Sequence, residues 1–321
     1  MTTILQDSIT IPSLGVCPEV RWEHVSCNLC NSDDTQLYHR ERIGYFDKIL
    51  DFTIVRCRRC GLVYTNPRLA DHNATYLLGS RSEPQLIERH GWLKAGVYER
   101  ALNEIQCRLG RQGINQRMKL LDLGCGSGHF LAAAKERGFE IRGLEPASVP
   151  AEYAQKRFGL PVIRRDIYDA DLPENSFDVI TAWDVIEHVS DPQEMLRQCT
   201  RWLKDDGIMA LRFPSASWQK VKGIILHRIL ADRRAAFSPT MHLYFFSSRT
   251  FAQMADRVKL EVLKVKNTAV EMNDASIILN GVKLAGGAVL RGIEMVSGKH
   301  LGNLEVYCRK ARPGWQNHTE D

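Results

Sequence analysis

Three groups of residues in this 321-residue chain have the types and spacing that chemistry requires. The first is the run Leu121-Asp122-Leu123-Gly124-Cys125-Gly126-Ser127-Gly128. Glycines at alternate positions let a backbone turn sharply and bring a ligand against main-chain N–H groups at a helix N-terminus. The spacing is G-x-G-x-G, not the G-x-G-x-x-G that holds a pyrophosphate. Asp122 stands two positions before the first glycine; it would repel a pyrophosphate and suits a cationic ligand that carries an amino-acid group. Nineteen residues beyond Gly126 comes Glu145, a carboxylate able to accept both hydroxyls of a ribose. Asp166-Ile167 offers an acceptor for an adenine amino group and an apolar face for its ring. Trp183-Asp184 ends a fourth apolar run, where open α/β sheets bind ligands.

The second group is Cys27-x-x-Cys30 with Cys57-x-x-Cys60. Each pair lets two thiolates reach one tetrahedral Zn²⁺ from a single turn, and two such knuckles close a structural site. The gap Asn31–Arg56 is 26 residues, longer than the usual about 15–20, and has room for a small sheet or loop. The chain's remaining five cysteines are scattered.

The third group is two histidines. His188 follows Asp184-Val185-Ile186-Glu187 and leads out of the fourth run; it can act on a ligand, cap a helix or orient a neighbour. His242 lies in Met241-His242-Leu243-Tyr244-Phe245-Phe246. A neutral imidazole near its reference pKa of about 6.5 can take a proton from a carbon acid, hydroxyl or amine; a loop-fixing backbone hydrogen bond is the alternative. Tyr244 and Tyr76 are further pocket residues.

Helices and strands must position these groups. From Lys119 onward short apolar runs alternate with helical periods: strands at Lys119–Leu123, Glu140–Leu144, Pro161–Arg165, Phe177–Trp183 and Ile208–Phe213, with helices at Phe130–Arg137 and Ser148–Phe158. A further helix is capped by Asp191 with Pro192 at its first position and is stopped by Gly207. After Pro214 come a helix at Phe251–Val258 and strands at Leu260–Lys266 and Asn303–Arg309. This alternation predicts an α/β fold with a doubly wound, mostly parallel Rossmann-like sheet, a small N-terminal zinc-ribbon-like module and helical lid insertions. The expected divisions are a lead-in (1–26), the zinc module (27–70), a helical connector (71–117), the main domain (118–311) and a polar tail (312–321). Within the main domain lie a basic insert (217–241) and an apolar helical insert (275–297).

The glycine run, Glu145, Asp166 and Asp184, in that order, resemble the class I S-adenosylmethionine-dependent methyltransferases. That resemblance implies that S-adenosylmethionine contacts Asp122, Gly124, Cys125, Gly126, Gly128, Glu145, Pro146, Asp166, Ile167, Trp183 and Asp184. The first motif would cradle the methionine moiety, the second-strand acid the ribose and the Asp-hydrophobe pair the adenine. Residues 24–70 look like the zinc-binding N-terminal module carried by many bacterial methyltransferases of sugar and small-metabolite tailoring. There Cys27, Cys30, Cys57 and Cys60 would hold Zn²⁺, and a histidine placed like His242, just before the Phe-Ser that opens the next helix, faces the substrate. Catalytic roles are thus expected of His242, His188 and Tyr244.

Composition bounds the reading. The chain is 44% hydrophobic and 25% charged, too apolar for a disordered tail. No apolar run approaches the about 18 residues of a spanning helix, and the start lacks a secretion signal, so a cytoplasmic enzyme is expected. The net charge is +5, mild for a nucleic-acid partner. The excess concentrates at 217–234, where Lys220, Lys222, Arg228, Arg233 and Arg234 face the single acid Asp232. This stretch reads as a solvated face or as a lid over an anionic small-molecule substrate. An RNA methyltransferase using the zinc module as a clamp is the second reading. It lacks an Asn/Asp-Pro-Pro-aromatic loop after the fourth strand. A non-catalytic cofactor-binding scaffold is the third.

Overall fold

The computed structural model describes residues 20–45, 48–70, 94–110, 117–224, 237–268, 302–312 and 314. Tyr76, most of the lead-in, connector and tail, residues 225–236 of the basic insert and all of 275–297 lie outside them.

The N-terminal part holds β1 (Trp22–Glu23), β2 (Thr35–Tyr45), β3 (Lys48–Cys57), β4 (Val63–Thr65) and β5 (Arg68–Leu69). The long gap between the cysteine pairs is filled by the antiparallel β2/β3 hairpin, with an irregularity between Leu37 and His39. Both cysteine knuckles therefore stand at the open end of the ladder, where Thr35 pairs with Cys57.

The helix α1 (Ala95–Arg108) buries Val97, Ala101, Leu102 and Ile105, which share one face of a 3.6-residue period. Then follow β6 (Lys119–Leu123), α2 (His129–Glu136), β7 (Glu140–Leu144), α3 (Ser148–Phe158), β8 (Val162–Ile163), a 3₁₀ turn (Ile167–Asp169) and β9 (Phe177–Trp183). Next come α4 (Pro192–Trp202), β10 (Leu203–Pro214), α5 (Ala216–Ile224), β11 (Tyr244–Phe245), α6 (Ser248–Arg257), β12 (Leu260–Asn267) and β13 (Asn303–Lys310). The seven-stranded sheet has the order β12-β13-β10-β9-β6-β7-β8. Its five central and right-hand strands run parallel, and β13 is antiparallel to both β10 and β12.

Helix ends follow capping chemistry. Asp191 accepts from the Glu194 N–H at 2.9 Å with Pro192 in the first turn. Ser247 and Thr250 form a reciprocal capping box, which starts α6 at Ser248, ahead of the expected Phe251. Against expectation α4 stops at Trp202, not at Gly207. Leu203 turns extended to pair with Phe177, and β10 resumes regular pairing at Ile208 after a shift. Sheet pairing overrides the helical signal there.

Both sheet faces are covered. One core holds Ile180, Ala182, Met195, Leu196, Trp202, Phe213 and Phe251 and continues without a break into Cys27, Leu29, Cys57 and Tyr64. The other joins α1 and α2 to Leu120, Val179, Trp183 and Tyr307. A strand from the main domain completes the small sheet: β11 pairs with β4, giving the order β11-β4-β3-β2. Among the described residues no helix is long and apolar enough to cross a membrane.

Phe213 is fully buried and stacks on Phe251 with ring centroids 5.0 Å apart. Phe213→Ala should lower unfolding free energy by about 3–5 kcal/mol in urea titration; a loss below about 1 kcal/mol would show that this site collapses freely.

Candidate active site

The glycine turn joins β6 to α2. Gly124, Gly126 and Gly128 have φ of 55°, 52° and 78°, left-handed values that side chains disfavour. Space adds a second constraint. A Cβ on Gly124 would lie 2.7 Å from Val185, and one on Gly128 would lie 2.5 Å from Leu160. A Cβ at Gly126 meets nothing closer than 4.0 Å, so the middle glycine has the open side.

Glu145, just past β7, is fully buried and accepts from the Gly126 and Ala147 N–H groups, each at 2.9 Å. It braces the turn from behind. Burial pushes its carboxyl up to about 7, although both N–H bonds pull it down. Asp122 is also buried and accepts from the Thr181 hydroxyl at 2.6 Å. Burial pushes it up to about 8.

In front of the turn, at the carboxyl ends of β6, β7 and β9, lies an open cleft that takes in about 590 Å³ with its solvent-filled mouth included. Six expected residues line it: Gly124, Pro146, Asp166, Ile167, Asp184 and His188. Asp166 also caps the 3₁₀ turn by accepting from the Tyr168 N–H at 3.1 Å. The wall is otherwise mainly apolar, from Leu123, Leu144, Tyr168, Val185 and Val189. Asp122, Cys125, Gly126, Gly128, Glu145 and Trp183 stand behind or beside this lining. Cys125 sits where a Cβ on Gly143 would meet its sulfur at 2.6 Å, and burial raises its thiol well above the usual range. Trp183 packs on Phe130, with ring centroids 5.1 Å apart.

Asp184 lies at φ 57°. Lys94, just before α1, meets one of its oxygens at 2.8 Å, and Arg212 on β10 meets the other at 3.2 Å. Burial alone would push this carboxyl up, but the two cations outweigh it and hold it below the usual range. Lys94 is raised mainly by the Asp184 charge. Neither cation was foreseen. Lys94 belongs to the connector, whose pattern spoke only for a helix. Arg212, a charge inside the apolar run Met209–Phe213, was a usable signal.

His188 donates from Nδ1 to the Met241 carbonyl at 2.8 Å, which leaves Nε2 as an acceptor in the neutral ring. Burial lowers its pKa from 6.5. His242 lies edge-on to it, with centroids 4.8 Å apart. Glu187 is buried and raised well above the carboxylate range by burial first and by the Asp184 charge second. Ligand atoms of Glu187, His188 and His242 all lie within 4.8 Å of one another, a spacing for exchanging a proton or sharing a cation. Tyr244, expected to act on a ligand, points elsewhere. Its hydroxyl donates to the Ser190 carbonyl at 3.1 Å and accepts from Arg68 at 3.2 Å. Burial pushes it up to about 12, so it is a brace.

Cys27, Cys30, Cys57 and Cys60 converge into one cluster. The Cys27–Cys60 and Cys30–Cys57 sulfurs are 3.4 and 3.5 Å apart. Four thiolates around zinc at about 2.3 Å give tetrahedral edges of about 3.8 Å. All four cysteines are free, and the donor set fits a tetrahedral soft cation. The hydrogen bond from Cys27 is the main cause that brings the Cys60 thiol down to about 5.

The buried carboxyls carry a pH signature. Asp122 rises from 3.8 to about 8 and Glu145 from 4.5 to about 7 on folding. The folded state therefore holds more protons, and these groups cost nothing at low pH but lower stability as pH rises from about 4 to about 8. Asp122→Asn keeps an acceptor for Thr181. Its melting temperature should gain on the wild type progressively across that range and level off above it; a constant difference would clear Asp122 of this role.

A methyltransferase-domain family model matches residues 96–265. A ubiquinone biosynthesis O-methyltransferase of Pseudomonas syringae pv. tomato is 37% identical over 95 residues, 28% of this chain and 41% of that protein. Its counterpart in Idiomarina loihiensis is 29% identical over 157 residues, 46% of this chain and 63% of that protein. The chain thus spans between two fifths and just under two thirds of the length of these curated relatives. A solved structure of a candidate S-adenosylmethionine-dependent methyltransferase from Listeria monocytogenes superposes with a TM-score of 0.50 at 13% identity, covering 68% of this chain and 99% of that one. At that identity the likeness is one of fold. The matched segment runs from α1 into β12 and takes in the glycine turn, the cleft and both histidines. Because it covers more than half of the chain, the chain belongs to the methyltransferase-domain family, with the class I S-adenosylmethionine-dependent architecture.

Proposed function

We propose that the chain transfers a methyl group from S-adenosylmethionine to a carbon, oxygen or nitrogen of a small-molecule acceptor, as in specialised-metabolite or sugar tailoring. One observation carries this reading: a single cleft runs from Gly124 and the Asp166-Ile167 pair to Asp184 and His188. Cofactor and acceptor would meet in it without leaving the cavity. The names of the curated relatives favour a small-molecule oxygen acceptor.

Bound S-adenosylmethionine would supply an electrophilic methyl on a sulfonium, already a good leaving group. The chain's own task is then alignment and desolvation. In this reading the open side of Gly126 receives the amino-acid end, Pro146 faces the sugar with Glu145 bracing the turn behind it, and Asp166 and Ile167 hold the purine. Asp122 and Cys125 support the turn from behind. Trp183 supports the strand end. His188 and His242 stand on the acceptor side; their neutral rings can take a proton from a hydroxyl or amine as the new bond forms. Zn²⁺ on the four cysteines would be structural, since four protein ligands leave no open position.

Titration calorimetry with S-adenosylhomocysteine tests the cofactor assignment: one site per chain is expected, and preference for a pyridine dinucleotide would overturn it. Glu145→Ala should weaken that binding by about tenfold or more, because the glycine turn loses the acceptor that holds the Gly126 and Ala147 N–H groups. Methyl transfer to a panel of phenols, catechols and keto sugars tests the acceptor class. On any compound turned over, His242→Ala should lower kcat while leaving cofactor affinity unchanged. A shift assay with RNA separates the nucleic-acid alternative, and a scaffold would bind cofactor but methylate nothing. Cys57→Ser should drop zinc from one per chain toward none and lower the melting temperature.

A further inference from the structure

Several polar contacts between the cysteine module and the sheet domain fall on or beside the two segments that carry the histidines. Asn28 sits inside the first knuckle, between Cys27 and Cys30. Its Nδ2 donates to the Asp191 carboxylate at 2.9 Å, and its Oδ1 accepts from the Gln193 N–H at 3.1 Å. It thereby caps α4 from outside, together with Asp191, three residues past His188. Arg68 on β5 donates from one Nη1 to the Ser190 carbonyl at 3.0 Å and to the Tyr244 hydroxyl at 3.2 Å. Its Nε is anchored on Glu23 at 2.6 Å. Thr65 on β4 holds the other segment: its N–H donates to the Leu243 carbonyl at 2.9 Å and its hydroxyl to the His242 carbonyl at 3.1 Å. The two segments are also laced together, since the Leu243 N–H donates to the Glu187 carbonyl at 2.7 Å.

These contacts are built rather than incidental. Arg68 is buried while making three hydrogen bonds, and Asn28 uses both ends of its amide. A guanidinium that spans a carbonyl and a phenol holds direction as well as distance. A knuckle turn is short, so closing a cation into it sets where Asn28 points.

We propose that Asn28 and Arg68 are positioning residues for the acceptor side of the cleft: set by the cysteine knuckles, they clamp residues 187–191 and 241–244 so that the His188 and His242 rings stand together. The cysteine module is then a buttress behind the active site, not an appendage. The proposal rests on the methyl-transfer reading only in taking these rings as acceptor-side groups.

The test uses the full chain with its cysteine-bound metal, and follows histidine-ring ¹H–¹⁵N signals by NMR in wild type, Asn28→Ala, Arg68→Ala and Arg68→Lys. Metal content and S-adenosylhomocysteine affinity are measured on the same samples. The ring signals of His188 and His242 should move in Asn28→Ala and Arg68→Ala, with the His188 midpoint rising toward its unburied value. Arg68→Lys should fall between wild type and Arg68→Ala. Metal content should be unchanged and cofactor affinity should stay within about twofold. Ring signals unmoved in Asn28→Ala would overturn the proposal, and this variant decides alone if Arg68→Ala does not fold. Changes spread across the whole amide spectrum, instead of confined to the two segments, would equally overturn it. Failure of the wild type to bind S-adenosylhomocysteine would sink the methyl-transfer reading and leave the ring result legible.

Discussion

The cleft depends on one half-buried carboxylate. Asp184 sits at the end of β9 with Lys94 on one oxygen and Arg212 on the other. An ion taken out of water costs several kcal/mol unless partners of opposite charge are held against it. That requirement ties the start of α1, the end of β9 and the middle of β10 to one point, and the point is the floor of the cleft. The backbone agrees with the charge. Asp184 adopts a left-handed turn while its N–H donates to the Arg212 carbonyl at 2.8 Å. The next residue, Val185, then fills the space that forbids a side chain at Gly124. The ion cluster and the glycine turn are two sides of one packing solution.

Charge is distributed unevenly around this centre. Asp184 stays ionised, whereas Asp122, Glu145 and Glu187 are driven toward their neutral forms by burial. Of these four, Asp184 is the one in direct ion pairs with Lys94 and Arg212, whereas the same two cations lower Glu187 by less than its burial raises it. His188 is likewise held neutral by burial, with its Nδ1 proton committed to a carbonyl.

The N-terminal module and the sheet domain are not joined merely by a linker. The strand β11 completes the small sheet, and the core of the knuckles runs into that beneath β9 and β10. The small sheet draws on residues from both sides of the expected boundary at residue 70. Tyr244 illustrates the consequence. Its position next to His242 suggested chemistry, but its register opposite Tyr64 turns the phenol toward Ser190 and Arg68.

Local signals were legible because they are written in neighbouring residues. The alternation of apolar runs with helical periods specified the five parallel strands, Asp191-Pro192 specified the start of α4, and alternate glycines specified the turn. The paired cysteines converged because each knuckle is a single turn. What lay beyond the sequence was long-range. Lys94 and Arg212 reach Asp184 from 90 positions before it and 28 after it in the chain, and Asn28 reaches Asp191 across 163. Leu203 reads as helix by period but joins the sheet, because a strand partner at Phe177 outweighs a local preference. Periodicity reports which face of an element is buried, whereas burial raises or lowers a carboxyl only through whatever the rest of the chain brings beside it, and that was decided by the tertiary structure alone.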